Sequence, residues 1–191
     1  MLIGVTGTLA SGKDTLSSYL TKNKDFFHFS LSDAIREECD KRGLPKDRDT
    51  LVNLGNDLRA AFGSDILARR AVEAVQRNKA KNAVLTSIRN PIEAEFLKKL
   101  PSFVLISVNA PIKVRYERIV SRKRASDFVD FKTFRAQEEK EMSGTAREQD
   151  LKKVMTMADY NLINDGTLEE FHKNIETVLG KINASQDQKN R

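Results

Sequence analysis

The sequence predicts an α/β protein in which a five-stranded parallel sheet lies between two layers of helices. Apolar runs of strand length occupy residues 1–6, 26–30, 83–88, 103–108 and 160–164. Helical patterns occupy residues 13–22, 33–42, 49–62, 65–78, 91–99, 111–122, 131–142, 148–157 and 167–182. Strands that alternate with helices form parallel sheets with both faces covered. Because the 191 residues contain no internal repeat and no linker, we expect one domain spanning 1–191.

The composition indicates a soluble, cytoplasmic protein without a membrane partner. Apolar residues make up 39% of the chain, and no apolar run approaches the roughly 18 residues of a membrane span. The opening MLIGVTG lacks the basic region and cleavage site of a signal peptide. A single cysteine, Cys39, excludes an internal disulfide and suits a reducing compartment. His28 and His172 are far apart in sequence and make a poor metal site.

The first strand leads into a glycine-containing loop that opens the first helix. Residues 7–13, GTLASGK, match G-x-x-x-x-G-K, the phosphate-binding loop between a strand and a helix. Its glycines let successive backbone N–H groups point at a phosphate, and the helix adds its positive dipole end. Lys13 can reach the terminal phosphates. The residues predicted to bind ATP here are Gly7, Thr8, Leu9, Ala10, Ser11, Gly12, Lys13, Asp14 and Thr15.

One residue of this loop departs from the motif. A Ser or Thr normally follows the lysine and ligates Mg²⁺, whereas here Asp14 stands at that position and Thr15 comes next. Thr15 still lies in the first helical turn and can bond a phosphate. Asp14 favours the helix N-terminus through the dipole. Both are weak candidate magnesium ligands.

The loop sequence SGKDT resembles the SGKGT or SGKST of nucleoside monophosphate kinases. This branch of the P-loop proteins includes adenylate kinases, phage-type deoxynucleotide kinases and dephospho-CoA kinases. The resemblance continues along most of the chain as similar residue types in the expected order. It implies a P-loop three-layer fold with a helical lid, ATP as phosphoryl donor, Mg²⁺ as cofactor and a small phosphorylated acceptor.

Two further segments resemble the acceptor side of these kinases. SLSDAIREE after the second strand is similar to their S-x-G-D-x-x-R, which implies that Asp33 lies at the strand end and that Arg36 faces the acceptor phosphate. A helix-capping Asp33 with a surface Arg36 explains the same residues. After the third strand, the kinases often carry D-G-x-x-R. Here Thr86 stands in place of the acid, so this position lacks the carboxylate of a Walker-B-like metal site, and Arg89 is a second candidate phosphate clamp.

The resemblance implies that the segment 51–75, LVNLGNDLRAAFGSDILARRAVEAV, corresponds to the acceptor-binding arm of the kinases. It carries Arg59, Arg69 and Arg70 on amphipathic helices. A solvated helical face is the favoured interpretation of these three arginines, and contact with a bound nucleotide is the alternative.

A charged stretch at about 122–149 breaks the strand–helix alternation and predicts a lid-like insertion. The helix before it, in APIKVRYERIVSRKRASD, resembles the kinases' helix that enters the lid. Arg118 and Arg122 are four residues apart and therefore share a helical face. The resemblance implies that they close over the transferring phosphoryl group, with Arg124 as a third candidate.

The segment ADYNLINDGTLEEF is similar to the closing strand and helix of dephospho-CoA kinases. The resemblance implies that Asn164, Asp165 and Gly166 form the loop that passes the adenine ring. A capping box from Thr167 to Glu170 explains the same stretch without a ligand, and both interpretations stay open. The polar end of the chain, 183–191, is predicted to fray.

The predicted function is an ATP-dependent kinase, with Lys13, Asp33, Arg118 and Arg122 as catalytic residues. A nucleoside or deoxynucleoside monophosphate is the favoured acceptor, because the chain lacks a stretch like PLLFE, typical of bacterial dephospho-CoA kinases. Dephospho-CoA is the alternative acceptor, with Asp33 as general base. A P-loop switch or a nucleic-acid-associated ATPase is the alternative of another class, suggested by the net charge of +6. We expect no nucleic-acid partner, since basic residues cluster only at 118–124. The sequence leaves the oligomeric state open.

Overall fold

The protein is described by a computed structural model that covers residues 1–122, 130–142 and 150–189. The strands within these ranges are β1 (Leu2–Gly7), β2 (Phe27–Ser30), β3 (Ala83–Thr86), β4 (Phe103–Asn109) and β5 (Tyr160–Ile163). The helices are α1 (Lys13–Lys24), α2 (Leu31–Arg42), α3 (Arg48–Phe62), α4 (Ile66–Arg77), α5 (Pro91–Lys98), α6 (Ile112–Arg122), α7 (Phe131–Met142), α8 (Leu151–Thr156) and α9 (Leu168–Lys189).

The five strands form one parallel sheet in the order β2-β3-β1-β4-β5. The predicted α/β fold is therefore confirmed. β1 lies at the centre, between β3 and β4, and its pairing with β4 runs from Leu2 opposite Phe103 to Gly7 opposite Val108. After β1, the chain first forms β2 and β3 on one side of this strand and then forms β4 and β5 on its other side. Such a change of direction opens a crevice at the carboxyl ends of the central strands.

The two faces of the sheet carry separate apolar cores, because successive side chains of a strand point to opposite faces. On β3, Val84 packs towards α1 and α9, whereas its neighbour Leu85 packs towards α2, α4 and α5. On β4, Leu105 and Ile106 divide in the same way. Each face therefore buries its own layer of helices, as the alternation of strands and helices predicts.

A third, smaller apolar cluster lies at the carboxyl edge of the sheet. It joins Ala10 of the β1–α1 loop to Ile119 of α6 and Phe134 of α7, all of them buried. Tyr116 extends it with an edge-to-face contact to Phe131, at 5.2 Å between ring centroids. The central helix of the predicted lid is thus packed against the loop that the sequence predicts to bind phosphate.

Two predicted helix boundaries differ from the structure by three residues or more. α8 begins at Leu151, three residues later than predicted, and α9 continues to Lys189, so its predicted end at 182 is too early. Gln186 lies beyond that predicted end and donates to the carbonyl of Ser102 at 3.4 Å. Residues 183–189 are polar but contain neither Gly nor Pro, so nothing in them stops a helix. None of the described helices is long and apolar enough to cross a membrane.

Candidate active site

The β1–α1 loop has the backbone geometry of an anion-binding concavity. Gly7, Ala10 and Gly12 have φ angles of 140°, 58° and 110°, in the region that L side chains rarely adopt. A Cβ on Gly7 would collide with the carbonyl oxygen of Val108, and a Cβ on Gly12 would collide with the amide of Asn164. Glycine is therefore required at both positions, and the loop curls as the motif predicts.

Lys13 begins α1 and bends back over this loop. Its Nζ donates to the carbonyl of Thr8 at 2.6 Å, which places the ammonium group beside the positive end of the helix. Asp14 is exposed and Thr15 is half-buried in the same first turn. A helix N-terminus with an adjacent lysine attracts an anion such as a phosphate.

Asn164 supports the loop from behind. It is 7% exposed, and its Nδ2 donates to the carbonyl of Ser11 at 2.8 Å. Its Oδ1 accepts from Nη2 of Arg118 at 3.3 Å, and its backbone N–H donates to the carbonyl of Asn109 at 2.8 Å. Asn109 in turn accepts from the hydroxyl of Thr8 at 3.2 Å. The side chain of Asn164 therefore positions the loop and Arg118.

Two buried polar atoms at this loop lack a hydrogen-bond partner among the described residues. They are Oγ of Ser11 and Nη1 of Arg118. Buried polar groups are nearly always paired, so these two atoms are candidates for contact with a ligand or a water. Backbone amides, the Lys13 ammonium and the Arg118 guanidinium together form a donor set that fits the phosphates of a nucleotide.

A buried arginine that the sequence analysis did not single out lies under the same loop. Arg115 is 3% exposed, and its Nε donates to the carbonyl of Ala110 at 2.7 Å. Its Nη1 donates to the carbonyl of Leu9 at 3.3 Å, and the guanidinium forms a two-point ion pair with Glu138, with Nη2 and Oε1 at 2.8 Å. The position three residues before Arg118 on α6 was a usable signal for Arg115, whereas no sequence pattern indicates Glu138.

The other arginines predicted for the lid divide at the end of α6. Arg122 is exposed at the last residue of that helix. Arg124 and the parts of the predicted lid at 123–129 and 143–149 lie outside the described residues. Of the two predicted lid arginines that the structure describes, Arg118 contacts Asn164, which supports the phosphate loop.

On the predicted acceptor side, Asp33 both caps a helix and pairs with Arg36. Its Oδ2 accepts from the N–H of Ser30 at 3.1 Å in a capping box, and its Oδ1 lies 3.0 Å from Nη1 of Arg36. Both side chains remain more than two-fifths exposed, at 42% and 45%. The hydroxyl of Ser30 donates to that of Ser87 at 2.8 Å, which joins the ends of β2 and β3. The carboxylate and the guanidinium thus stand together at the open edge of the sheet.

Thr86, at the position where the kinases often carry an acid, contacts a histidine. Its Oγ1 lies 2.9 Å from Nε2 of His28 on β2. Burial lowers the pKa of His28, and the negative charges of Asp33 and Asp14 oppose this shift. No group of three or more His, Cys, Asp or Glu side chains within the described residues is arranged to hold a metal. The oxygen ligands that Mg²⁺ prefers are still available from Asp14 and from the hydroxyl of Thr15.

Arg89 lies half-buried in the loop between β3 and α5. Its carbonyl accepts from the N–H of Asp150 at 3.1 Å, so this loop contacts the chain where the described residues resume after the predicted lid. Pro91 occupies the first turn of α5, as predicted.

The favoured interpretation of the arginines of α3 and α4 as a solvated face does not describe Arg59, whereas Arg69 is 41% exposed and Arg70 is 25% exposed; all three form ion pairs. Arg59 is 11% exposed and pairs with the buried Glu93 at 3.1 Å. Burial raises the pKa of Glu93, and Arg59 opposes this by stabilising the carboxylate. The other two pairs are Arg70 with Glu38 at 2.9 Å and Arg69 with Asp65 at 3.3 Å.

The loop after β5 borders an open groove of about 420 Å³. Asp165 and Gly166 are exposed at this groove. The predicted capping box is also present, since Thr167 N–H donates to Oε2 of Glu170 at 2.7 Å and Glu170 N–H donates to Oγ1 of Thr167 at 3.2 Å. The cap and the open groove are thus both present at the same loop.

The fold and the phosphate loop together define a P-loop domain of the kinase-like type. A family model described as an AAA domain, AAA_18, matches residues 3–144. The UPF0200 protein of Sulfurisphaera tokodaii is 30% identical over 181 residues, which cover 95% of this chain and 97% of that relative. The chain belongs to the AAA_18 domain family and to the UPF0200 family.

Two solved kinase structures share the whole architecture. Shikimate kinase from Bacteroides thetaiotaomicron superimposes with a TM-score of 0.61 at 16% identity and covers 94% of this chain and 98% of its own. Dephospho-CoA kinase from Campylobacter jejuni gives a TM-score of 0.56 at 16% identity, with 97% and 98% covered. At these identities the likeness shows a common fold.

Proposed function

We propose that this protein is an ATP-dependent phosphotransferase whose acceptor is a nucleoside or deoxynucleoside monophosphate. The observation that carries the proposal is the curled loop between Gly7 and Lys13. Beside it lie two buried polar atoms without a hydrogen-bond partner among the described residues, and a carboxylate–arginine pair lies at the same edge of the sheet. The fold shared with two kinases supports transfer of a phosphoryl group over simple nucleotide binding.

The loop residues have distinct roles towards the donor. Backbone N–H groups of the curl and the start of α1 bind the triphosphate, and Lys13 stabilises its terminal oxygens. Nη1 of Arg118, which has no hydrogen-bond partner among the described residues, would donate to charge that develops on the transferring group, since preorganised donors stabilise such charge strongly. Asp165 and Gly166 border the groove that would take the adenine.

A magnesium ion fits the oxygen donors at the start of α1. Asp14 and the hydroxyl of Thr15 would hold it, since Mg²⁺ binds nucleotides through few carboxylates and retains several waters. When bound, the ion neutralises phosphate charge and orients the terminal group.

The acceptor binds on the other side of the crevice. Arg36 and Arg89 would hold its phosphate, as guanidinium groups bind phosphate in a two-point fashion. An oxygen of this phosphate attacks the γ-phosphorus of ATP, the bond from that phosphorus to the β–γ bridging oxygen breaks, and ADP leaves. Because a phosphate nucleophile is already ionised at neutral pH, this reaction needs no general base.

A hydroxyl acceptor, as in dephospho-CoA, is the second candidate, and the exposure of the Asp33 carboxylate favours it. The Asp33 carboxylate is exposed at the strand end, and each oxygen has room for another hydrogen bond besides those from Ser30 and Arg36. A hydroxyl nucleophile would deliver its proton to this carboxylate as the new bond to phosphorus forms.

The test is a transfer assay with ATP and Mg²⁺ against each nucleoside and deoxynucleoside monophosphate and against dephospho-CoA. We expect turnover with at least one monophosphate, and a fall of about 10²-fold or more in kcat for Lys13→Ala because the transition-state charge loses its nearest cation. The matched control is Lys22→Ala, the same change at an exposed position of α1, which should retain wild-type turnover.

Two outcomes decide between the candidates and against the proposal. Turnover with dephospho-CoA alone would replace the favoured acceptor by the second candidate. Full activity of Lys13→Ala, with its fold verified by circular dichroism, would contradict the role of the loop.

A further inference from the structure

Arg115 is the most deeply buried charged group beside the phosphate loop, and the reaction outlined above does not use it. Three parts of the chain meet at its guanidinium. These are the Leu9 carbonyl in the loop, the Ala110 carbonyl after β4, and the Glu138 carboxylate of α7. We refer to Arg115, Glu138 and these two carbonyls as the Arg115 bridge.

The bridge contacts the loop through the main chain. Arg115 donates to the carbonyl of Leu9, next to Ala10, whose φ of 58° forms part of the curl. A donor on this carbonyl fixes the orientation of the peptide plane between Leu9 and Ala10, and therefore the direction of the N–H group of Ala10. Because the N–H groups of the curl are the phosphate ligands in our proposal, the guanidinium helps to set the binding geometry.

The bridge also seats α7. Phe134 of α7 is 1% exposed and packs on Ala10 of the loop and on Ile119 of α6. Its ring centroid lies 5.9 Å from the guanidinium carbon of Arg115. Both the apolar contact and the ion pair with Glu138 therefore tie α7 to the loop.

We propose that Arg115 is a positioning residue that holds the phosphate loop in its nucleotide-binding conformation, and that Glu138 couples the position of α7 to that loop. The nucleotide part rests on the proposed function. Coupling of this kind is reciprocal. Packing of α7 against the loop strengthens ATP binding, and bound ATP stabilises this packing by the same free energy.

A purely structural ion pair is the competing explanation, and ATP binding by a folded double variant separates the two. Replacing both members of a buried pair by apolar residues of similar size is often neutral or stabilising, whereas removing one member is destabilising. The double variant Arg115→Met/Glu138→Leu can therefore fold well while it lacks the donor to Leu9. A structural pair predicts normal ATP binding by this variant, and the Arg115 bridge predicts weak binding.

The experiment measures ATP affinity by titration calorimetry and amide hydrogen exchange of residues 8–12 and 131–142. We expect Glu138→Gln to bind ATP about tenfold more weakly, the loss of one charge-assisted contact. We expect the double variant to lose at least as much and both to exchange faster in the two segments. Glu139→Gln is the matched control, since this neighbour on α7 forms an exposed pair with Arg135, and it should retain wild-type affinity.

The outcomes distinguish this inference from the proposed function. If the folded double variant binds ATP like the wild type, the positioning role is overturned. If the wild-type protein itself does not bind ATP, the proposed function fails, and the bridge is then tested by exchange without nucleotide. Unchanged exchange at 8–12 in Glu138→Gln would overturn the bridge in that case.

Discussion

At the scale of single residues, a carboxylate replaces the usual hydroxyl at the start of α1, and a hydroxyl replaces the usual carboxylate at the end of β3. Asp14 follows the loop lysine where the motif has a hydroxyl, and Thr86 ends β3 where similar kinases often have a carboxylate. The charge of Asp14 acts on the same histidine, His28, that contacts the Thr86 hydroxyl. This edge of the sheet therefore still has one carboxylate and one hydroxyl, but the carboxylate lies on α1 and the hydroxyl lies on β3.

This exchange predicts that Asp14 supplies the magnesium site with its carboxylate. Asp14→Asn should raise the Mg²⁺ concentration for half-maximal turnover about tenfold or more, because a carboxylate binds the ion much more strongly than a neutral amide. Binding of Mn²⁺ to the protein–ATP complex, followed by electron paramagnetic resonance, should weaken in parallel.

The control for this change is Asp25→Asn at the other end of α1. Asp25 adopts a left-handed backbone conformation, which Asn tolerates well, so the substitution removes one charge without strain. An Asp14→Asn protein whose Mn²⁺ affinity equals that of Asp25→Asn would show that Asp14 is not a ligand.

At the scale of elements, local patterns predicted the strands and most helices, and contacts between distant residues were not predictable. Strand and helix bounds depend on apolar periodicity, turn residues and caps, all of which lie within a few positions of one another. The ion pairs Arg115–Glu138 and Arg59–Glu93 join residues 23 and 34 positions apart. Such partners become visible only after the helices have packed, which is why the sequence indicated solvated arginines on α3.

The Arg59–Glu93 pair predicts how α3 is held on the domain. Arg59→Leu should lower the free energy of unfolding by about 3 kcal/mol, since it leaves the nearly fully buried Glu93 carboxylate without its cation. Urea denaturation measures this change. Arg59→Leu/Glu93→Leu should recover much of the loss, because the uncompensated charge is then gone.

The control pair lies on the neighbouring helices. Arg77 of α4 and Glu37 of α2 are 3.9 Å apart and mostly exposed, so Arg77→Leu should change stability by less than about 1 kcal/mol. Equal effects of Arg59→Leu and Arg77→Leu would contradict a special role for the buried pair.

At the scale of the whole molecule, the strand order determines where the candidate site lies, and ion pairs determine which arginines are already engaged within the protein. β1 is central, so the loop after it meets the ends of β3 and β4 in one crevice. The sequence suggested this crevice through the motif, whereas the support behind it, from Asn164, Asn109 and Arg115, required the folded chain. The ion pairs of the arginines likewise required the folded chain. Many of the described arginines pair with carboxylates of the protein.

This pairing of arginines bears on the alternative that the net charge of +6 serves a nucleic acid. A protein that binds single-stranded nucleic acid loses affinity with a log–log slope of about −0.7 for each phosphate it contacts. Arginines held in buried pairs with carboxylates, such as Arg59 and Arg115, are poorly placed to make such contacts. We therefore expect kcat/KM for a mononucleotide acceptor, at saturating ATP and Mg²⁺, to change little between low and physiological salt. ATP affinity measured at the same salt concentrations provides the correction for donor binding.

A steep slope for an oligonucleotide that outcompetes the mononucleotide would contradict a small-molecule acceptor, because several phosphates would then be bound along the strand.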